Sequence, residues 1–192
     1  DYKSPFIFSN FNGTSGDVDV LTHEFGHSLQ GFLGGDNIPA YRNPGMECCE
    51  MHSMSMEYLT YPWMNLFFKE DTEKYLYQHL ADAITFIPYG CIVDAFQAYV
   101  YENPDLTHKE RKAYFRELEK TYPPHKNYAG NEFLESGGFF MKQSHIFELP
   151  FYYLDYTIAQ VVSLEFFSMS EKDHQGTFEK YLDFCSLAGT LP

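Results

Sequence analysis

Val18-Asp19-Val20-Leu21-Thr22-His23-Glu24-Phe25-Gly26-His27-Ser28-Leu29-Gln30-Gly31-Phe32-Leu33 is the stretch from which the fold is read. Val18, Leu21, Phe25, Leu29 and Phe32 recur at steps of three and four, the period of an amphipathic helix. Gly34-Gly35 ends it. His23 and His27 are one helical turn apart, so their rings project from the same side. At about 100° per residue that side lies nearly opposite the apolar stripe. The expectation is a helix with its stripe on the core and its histidines in a cleft.

Working outward, Phe6-Ile7-Phe8-Ser9-Asn10-Phe11 is short, aromatic and β-prone, and reads as a strand running into a turn at Asn12-Gly13. Asn12-Gly13-Thr14 spells a glycosylation acceptor, but without a secretory leader the Asn-Gly pair is read as a turn. After a polar loop with Pro39 and Pro44, residues 47 to 68 read as a second helix that kinks or breaks at Pro62. Residues 71 to 87 and 92 to 101 read as helices separated by Pro88-Tyr89-Gly90. Residues 107 to 122 carry alternating charges at helical spacing, as a solvated helix does, and stop at Pro123-Pro124. Residues 125 to 150 look loop-like. Two further helices are expected near 151 to 169 and 177 to 187. Gly137-Gly138 is either a plain turn or a loop that closes over a ligand. No repeat, low-complexity tract or linker interrupts residues 1–192, which read as a single, mainly α domain with a small β element near the N-terminus.

Composition narrows the partners. Of 192 residues, 44% are hydrophobic, enough for one substantial core. The 19% aromatic content suits core packing and a groove for peptides. A formal net charge of −14, from 13 basic and 27 acidic residues, argues against nucleic acid and anionic membrane surfaces. No apolar run approaches the roughly 20 residues of a membrane-spanning helix. Asp1-Tyr2-Lys3-Ser4 does not open a signal peptide. Cys48, Cys49, Cys91 and Cys185 contain no C-x-x-C pair and read as reduced thiols of a cytoplasmic protein.

The HExxH spacing of His23, Glu24 and His27 is that of a zinc site on a helix, with the glutamate as general base. Catalytic zinc takes three protein ligands and keeps a position for water, so one more ligand is needed. The next helix offers Glu47, Glu50, His52 and Glu57. Glu47 follows His27 by 20 residues, the spacing of a thermolysin-like enzyme, and Glu50 follows it by 23. Glu50 and Glu57, seven apart, share one side of a helix, and Glu47 is turned away from both. Helix phase therefore favours Glu50 as ligand, with Glu57 behind it orienting a ligand. His52, His79, His108, His125 and His174 have no partner at ligand spacing and read as structural or surface residues.

Four ordered motifs carry a resemblance. Ser9-Asn10-Phe11-Asn12-Gly13-Thr14, Leu21 to Ser28, Met46-Glu47-Cys48-Cys49-Glu50-Met51-His52-Ser53-Met54-Ser55-Met56-Glu57, and His145-Ile146-Phe147-Glu148 with Pro150-Phe151-Tyr152-Tyr153-Leu154-Asp155-Tyr156 are involved. Together they resemble the oligoendopeptidase F branch of the thimet oligopeptidase-like zinc metallopeptidases. The resemblance implies a helical, zincin-type catalytic core and one Zn2+ per chain held by His23, His27 and Glu50, with Glu57 behind Glu50. It implies an endopeptidase acting on short peptides, with Glu24 as base and His145, Tyr153 and Tyr156 as donors to the oxyanion. It also implies that the first strand lends its edge to substrate, and that this chain is an incomplete part of a longer one.

Three rival readings stand beside this one. A thermolysin-like zinc peptidase would use Glu47. A non-catalytic metal-binding homologue would be expected to lack the base, yet Glu24 is present. A structural zinc domain would close its site with cysteines, and none is well placed.

Overall fold

The computed structural model describes residues 4–123 and 126–191, with the backbone alone of Glu47. The readings placed on Asp1-Tyr2-Lys3, on Pro124 and His125, and on the Glu47 side chain lie outside the described residues. The elements in order are α1 (Ser15–Leu33), α2 (Met46–Leu59), α3 (Asn65–Phe68), α4 (Thr72–Glu102), α5 (His108–Thr121), α6 (Glu132–Glu135), α7 (His145–Glu148), α8 (Tyr153–Ser170) and α9 (His174–Leu187). Short 3-10 turns join several of them. The chain divides into two compact units, Asp1–Leu80 with Ile158–Pro192, and Ala81–Thr157.

The small β element is not there. Residues 6 to 11 form no strand, and Phe6 and Phe8 are 77% and 98% exposed. β-prone residues become a strand only by exchanging backbone hydrogen bonds with a neighbouring one, and no strand exists among the described residues. The turn that follows does form. Gly13 takes a left-handed φ of 81°. The Asp17 carboxylate accepts from the Gly13 N–H at 2.6 Å, and the Asn12 side-chain oxygen accepts from the Thr14 hydroxyl at 2.6 Å. These bonds tie the loop to the first turn of α1.

In the first unit, α1 packs on α2 by a face the apolar pattern did not indicate. Its buried residues are Thr22, Gly26 and Gln30, and Phe25 and Phe32 are left 47% and 61% exposed. The reason is backbone proximity. A Cβ on Gly26 would stand 2.6 Å from the His52 carbonyl oxygen and 2.6 Å from the Ser53 Cα, so no larger residue fits between the helices. The polar groups on this face are satisfied locally. The Thr22 hydroxyl lies 3.0 Å from the Val18 carbonyl, and the Gln30 amide donates to the Arg42 carbonyl at 3.0 Å. His23 and His27 adjoin this packed side, toward α2 and not opposite it. The core behind α2 is Met56, Leu59, Tyr181 and Cys185, with Leu29, Leu33, Phe166 and Phe178 around it. Pro62 falls in a 3-10 turn, Tyr61–Trp63, after α2 has ended.

The second unit is built on Ile92, Phe96, Phe115, Leu118 and Phe140. Here α4 runs unbroken through Pro88, against the expected interruption. A proline removes one hydrogen bond from the ladder, a local loss that packing can offset. At Gly90 the helix lies so close to α8 that a Cβ would meet the Thr157 hydroxyl oxygen at 1.8 Å. By length and composition alone, residues 65 to 102 are also apolar enough to cross a bilayer, with a window of mean hydropathy 1.3. Apolar residues interleaved with Thr and Gln form no long run, yet they average high. Several of them, including Ile92, Val93 and Phe96, fill the core.

Residues 125 to 150 are more ordered than a loop, carrying α6, α7 and a 3-10 turn at Gly138–Lys142. Gly137 has φ of 92°, and a Cβ there would sit 1.8 Å from the Lys112 carbonyl. This is a packed turn. α5 opens with a capping box, in which Thr107 and Glu110 each accept from the other's backbone N–H. It is solvated on one side only, since Phe115 and Glu119 are fully buried on the other.

Candidate metal centre

α1 supplies His23 and His27, and α2 supplies Glu50 and Glu57. The close approach at Gly26 sets the distance across which they meet. Glu50 Oε2 lies 3.1 Å from His23 Nε2 and 3.4 Å from His27 Nε2. One ligand atom from each of these three residues falls within 4.8 Å of the other two. Donors at about 2.0–2.1 Å from a tetrahedral zinc are separated from one another by about 3.3 Å. The spacing across the helices thus fits a single small cation, and two imidazoles with one carboxylate are a donor set that zinc accepts. The histidine side chains are about one-quarter exposed and Glu50 is 7% exposed, so the carboxylate is held in the wall and the rings border the opening.

Two of the three donors have a support behind them. Glu50 Oε2 accepts from the Ser53 hydroxyl at 3.1 Å, and Ser53 is itself fully buried. His23 Nδ1 donates to Glu57 Oε1 at 2.6 Å, which holds the ring with Nε2, the nitrogen left for a metal, toward Glu50. Burial opposes a charge on His23, yet the hydrogen bonds and charges of Glu50 and Glu57 outweigh it and push its pKa up to about 9. Burial opposes charge on His27 too, and Cys49 and Glu50 beside it push the pKa up to about 10. Without a metal, this place draws positive charge onto its nitrogens. Glu57 is itself held below the usual carboxylate range: burial works against that, and the hydrogen bonds from His23 and His79 prevail. Glu24, between the two histidines in sequence, is half-buried and is not one of the three residues that converge.

The histidines set aside in sequence divide. His79 is bonded to Glu57 and Tyr61, a link that no local spacing announces because Glu57 lies 22 residues away. His52 is buried and stacks on Phe184 with centroids 4.3 Å apart. His174 Nε2 donates to the Leu59 carbonyl at 2.8 Å, a structural bond, and His108 is exposed at the start of α5.

His145, Tyr153 and Tyr156 form a cluster of rings within the second unit. The His145 centroid lies 5.1 Å from that of Tyr153 and 5.6 Å from that of Tyr156, and Tyr152 is 5.1 Å from Tyr156. The Gln143 amide donates to His145 Nδ1 at 2.7 Å, and the Tyr89 hydroxyl donates to the Gln143 carbonyl oxygen at 3.1 Å. With Nδ1 accepting, a neutral His145 carries its proton on Nε2 and presents a donor. Burial, with Tyr156 beside it, pushes the Tyr153 hydroxyl up to about 12, so it also stays a donor at neutral pH. Gln143 and Tyr89 were not visible as site residues in the sequence, because neither type nor spacing marks them.

A family model described as peptidase family M3 matches residues 1–187. A structure of PZ peptidase A with an inhibitor is 53% identical with a TM-score of 0.95, the match covering 98% of this chain and 34% of that one. A 3.1 Å structure described as oligoendopeptidase F is 53% identical, TM-score 0.95, covering 100% of this chain and 34% of that one. One described as an oligoendopeptidase F from Bacillus anthracis str. Ames is 46% identical, TM-score 0.84, covering 99% and 31%. The chain thus spans about a third of the length of the solved structures it matches. No curated protein sequence matches it significantly.

Proposed function

Since the chain belongs to peptidase family M3, we propose that it carries the metal centre of a zinc endopeptidase that hydrolyses short oligopeptides. The observation that carries this reading is the convergence of His23, His27 and Glu50 within 4.8 Å, with Glu24 on the same helix as the two histidines. His23, His27 and Glu50 would hold one zinc per chain. Zinc, when bound, supplies Lewis acidity toward water and the scissile carbonyl.

The protein's own residues do the rest. Glu57 accepts the His23 Nδ1 proton, so that Nε2 is the nitrogen offered to zinc, and Ser53 holds the Glu50 carboxylate. Glu24 takes a proton from the attacking water and passes it to the leaving nitrogen. His145, Tyr153 and Tyr156 take the role the family resemblance gives them, donating hydrogen bonds to the oxyanion without changing charge. Peptides are the substrate class. Nucleic acid and membrane are not among the proposed partners at a net charge of −14. A cytoplasmic location is proposed from the four cysteines, which contain no C-x-x-C pair.

Glu24→Gln in the full chain tests the base. It should bind zinc nearly as the wild type does, because no ligand changes, and lose about 10²–10⁴-fold in peptide cleavage. Near-normal turnover would remove Glu24 from the mechanism.

A further inference from the structure

Glu57 has two carboxylate oxygens, and only one serves His23. Oε1 accepts from His23 Nδ1 at 2.6 Å, and Oε2 accepts from His79 Nε2 at 2.9 Å. On the far side of that ring, His79 Nδ1 meets the Tyr61 hydroxyl at 2.7 Å. With Nε2 donating to the carboxylate, a neutral His79 has Nδ1 as acceptor and Tyr61 as its donor. Four elements of the first unit therefore contribute to one hydrogen-bonded chain: Tyr61 from the 3-10 turn, His79 from α4, Glu57 from α2 and His23 from α1.

The His79 ring has little freedom. Its side chain is 11% exposed. Tyr58 and Tyr61 present edges to it at centroid distances of 5.3 and 5.6 Å, and Tyr75 lies at 5.8 Å. Two of these neighbours are anchored in turn. The Gln160 amide donates to the Tyr58 hydroxyl at 2.8 Å, and the Tyr75 hydroxyl donates to Asp19 on α1 at 2.6 Å. A buried carboxylate with one oxygen unpaired would carry a desolvation cost and rotate to relieve it. Such a rotation would carry the His23 partner away from Nδ1.

We propose that His79, set by Tyr61, is a positioning residue for the metal centre, acting through Glu57 to fix the ring and tautomer of His23. The inference rests on the reading of His23, His27 and Glu50 as metal ligands. It assigns a role to a histidine that is bonded to Glu57 and Tyr61 and has no ligand spacing in sequence.

The test uses the full chain and three variants. His79→Leu removes the donor to Glu57. His79→Gln keeps an N–H donor on a side chain of similar reach. Tyr61→Phe removes only the distal hydroxyl. Zinc affinity is measured by competition with a chelator, and the melting temperature of each metal-free protein is recorded. In parallel, 15N-histidine labelling reports the His23 Nδ1–H, and so its hydrogen bond to Glu57, in the metal-free protein. Loss of such an outer partner typically weakens metal binding about 10–100-fold. His79→Leu should fall in that range and disturb the His23 ring signal, His79→Gln should recover most of the affinity, and Tyr61→Phe should lose a smaller factor.

Wild-type zinc affinity and an unchanged His23 signal in both His79→Leu and Tyr61→Phe would overturn the proposal, even if melting temperatures fell. A wild type that binds no zinc would instead sink the ligand assignment, and this inference with it. If His79→Leu does not fold, Tyr61→Phe and His79→Gln decide the matter by the same two readouts.

Discussion

Glu50 Oε2 is shared by three neighbours, the two histidine Nε2 atoms and the Ser53 hydroxyl. That is the behaviour of an acceptor whose natural companion is positive. The spacing of His23, Glu24 and His27, and the seven-residue step from Glu50 to Glu57, were legible in sequence because each lies within one helix. The bond from Glu57 to His79 was not, because it joins two helices through a side chain whose own neighbours carry no signature. Tyr153 and Tyr156 pose a question that only substitution answers. Each combines a large apolar ring with one hydroxyl, so Phe removes the donor and keeps most of the packing. A donor that meets the oxyanion only as it forms lowers kcat and leaves KM alone. Steady-state cleavage of a short peptide by the full chain should show about a 10²–10³-fold drop in kcat for Tyr156→Phe, with zinc content unchanged. Tyr153→Phe should behave alike. If both keep wild-type kcat, the tyrosines are packing residues and their assigned role is withdrawn.

At the scale of elements, the decisive contact is α1 against α2. The helix over residues 15 to 33 was legible from its period, but the buried side was misread. Phe25 and Phe32 carried the apolar signal, whereas the side that packs is Thr22, Gly26 and Gln30. The available clue was the glycine itself, since a helix interior tolerates Gly at a loss and keeps it where another backbone comes close. The expected strand failed for the complementary reason, because propensity cannot supply a pairing partner. Gly26→Ala is therefore expected to act on geometry more than on propensity. The new methyl would stand 2.6 Å from main-chain atoms of α2, so the helices must separate. Overpacking of this kind costs about 1–3 kcal/mol. We expect a lower melting temperature and weaker zinc retention together, because the same separation parts Glu50 from the histidines. A variant as stable as wild type, with full zinc, would show that the approach at Gly26 does not set the site.

For the whole molecule, the mainly helical architecture and the family were readable from four motifs in order, and the family model covers residues 1–187. The division into two units was not readable, since α4 and α8 each begin in one unit and end in the other and no linker marks the boundary. If the proposed function holds, the full protein should cut short peptides and spare stably folded proteins. Rapid digestion of a stably folded protein by the full chain would contradict that. The central claim is simpler still: one metal, held by His23, His27 and Glu50. Elemental analysis of the purified full chain, beside Glu50→Ala and Glu47→Ala, addresses it most directly. The account predicts one zinc per chain in the wild type and in Glu47→Ala, and little in Glu50→Ala. Zinc lost from Glu47→Ala and kept by Glu50→Ala, or absent from the wild type, would contradict it.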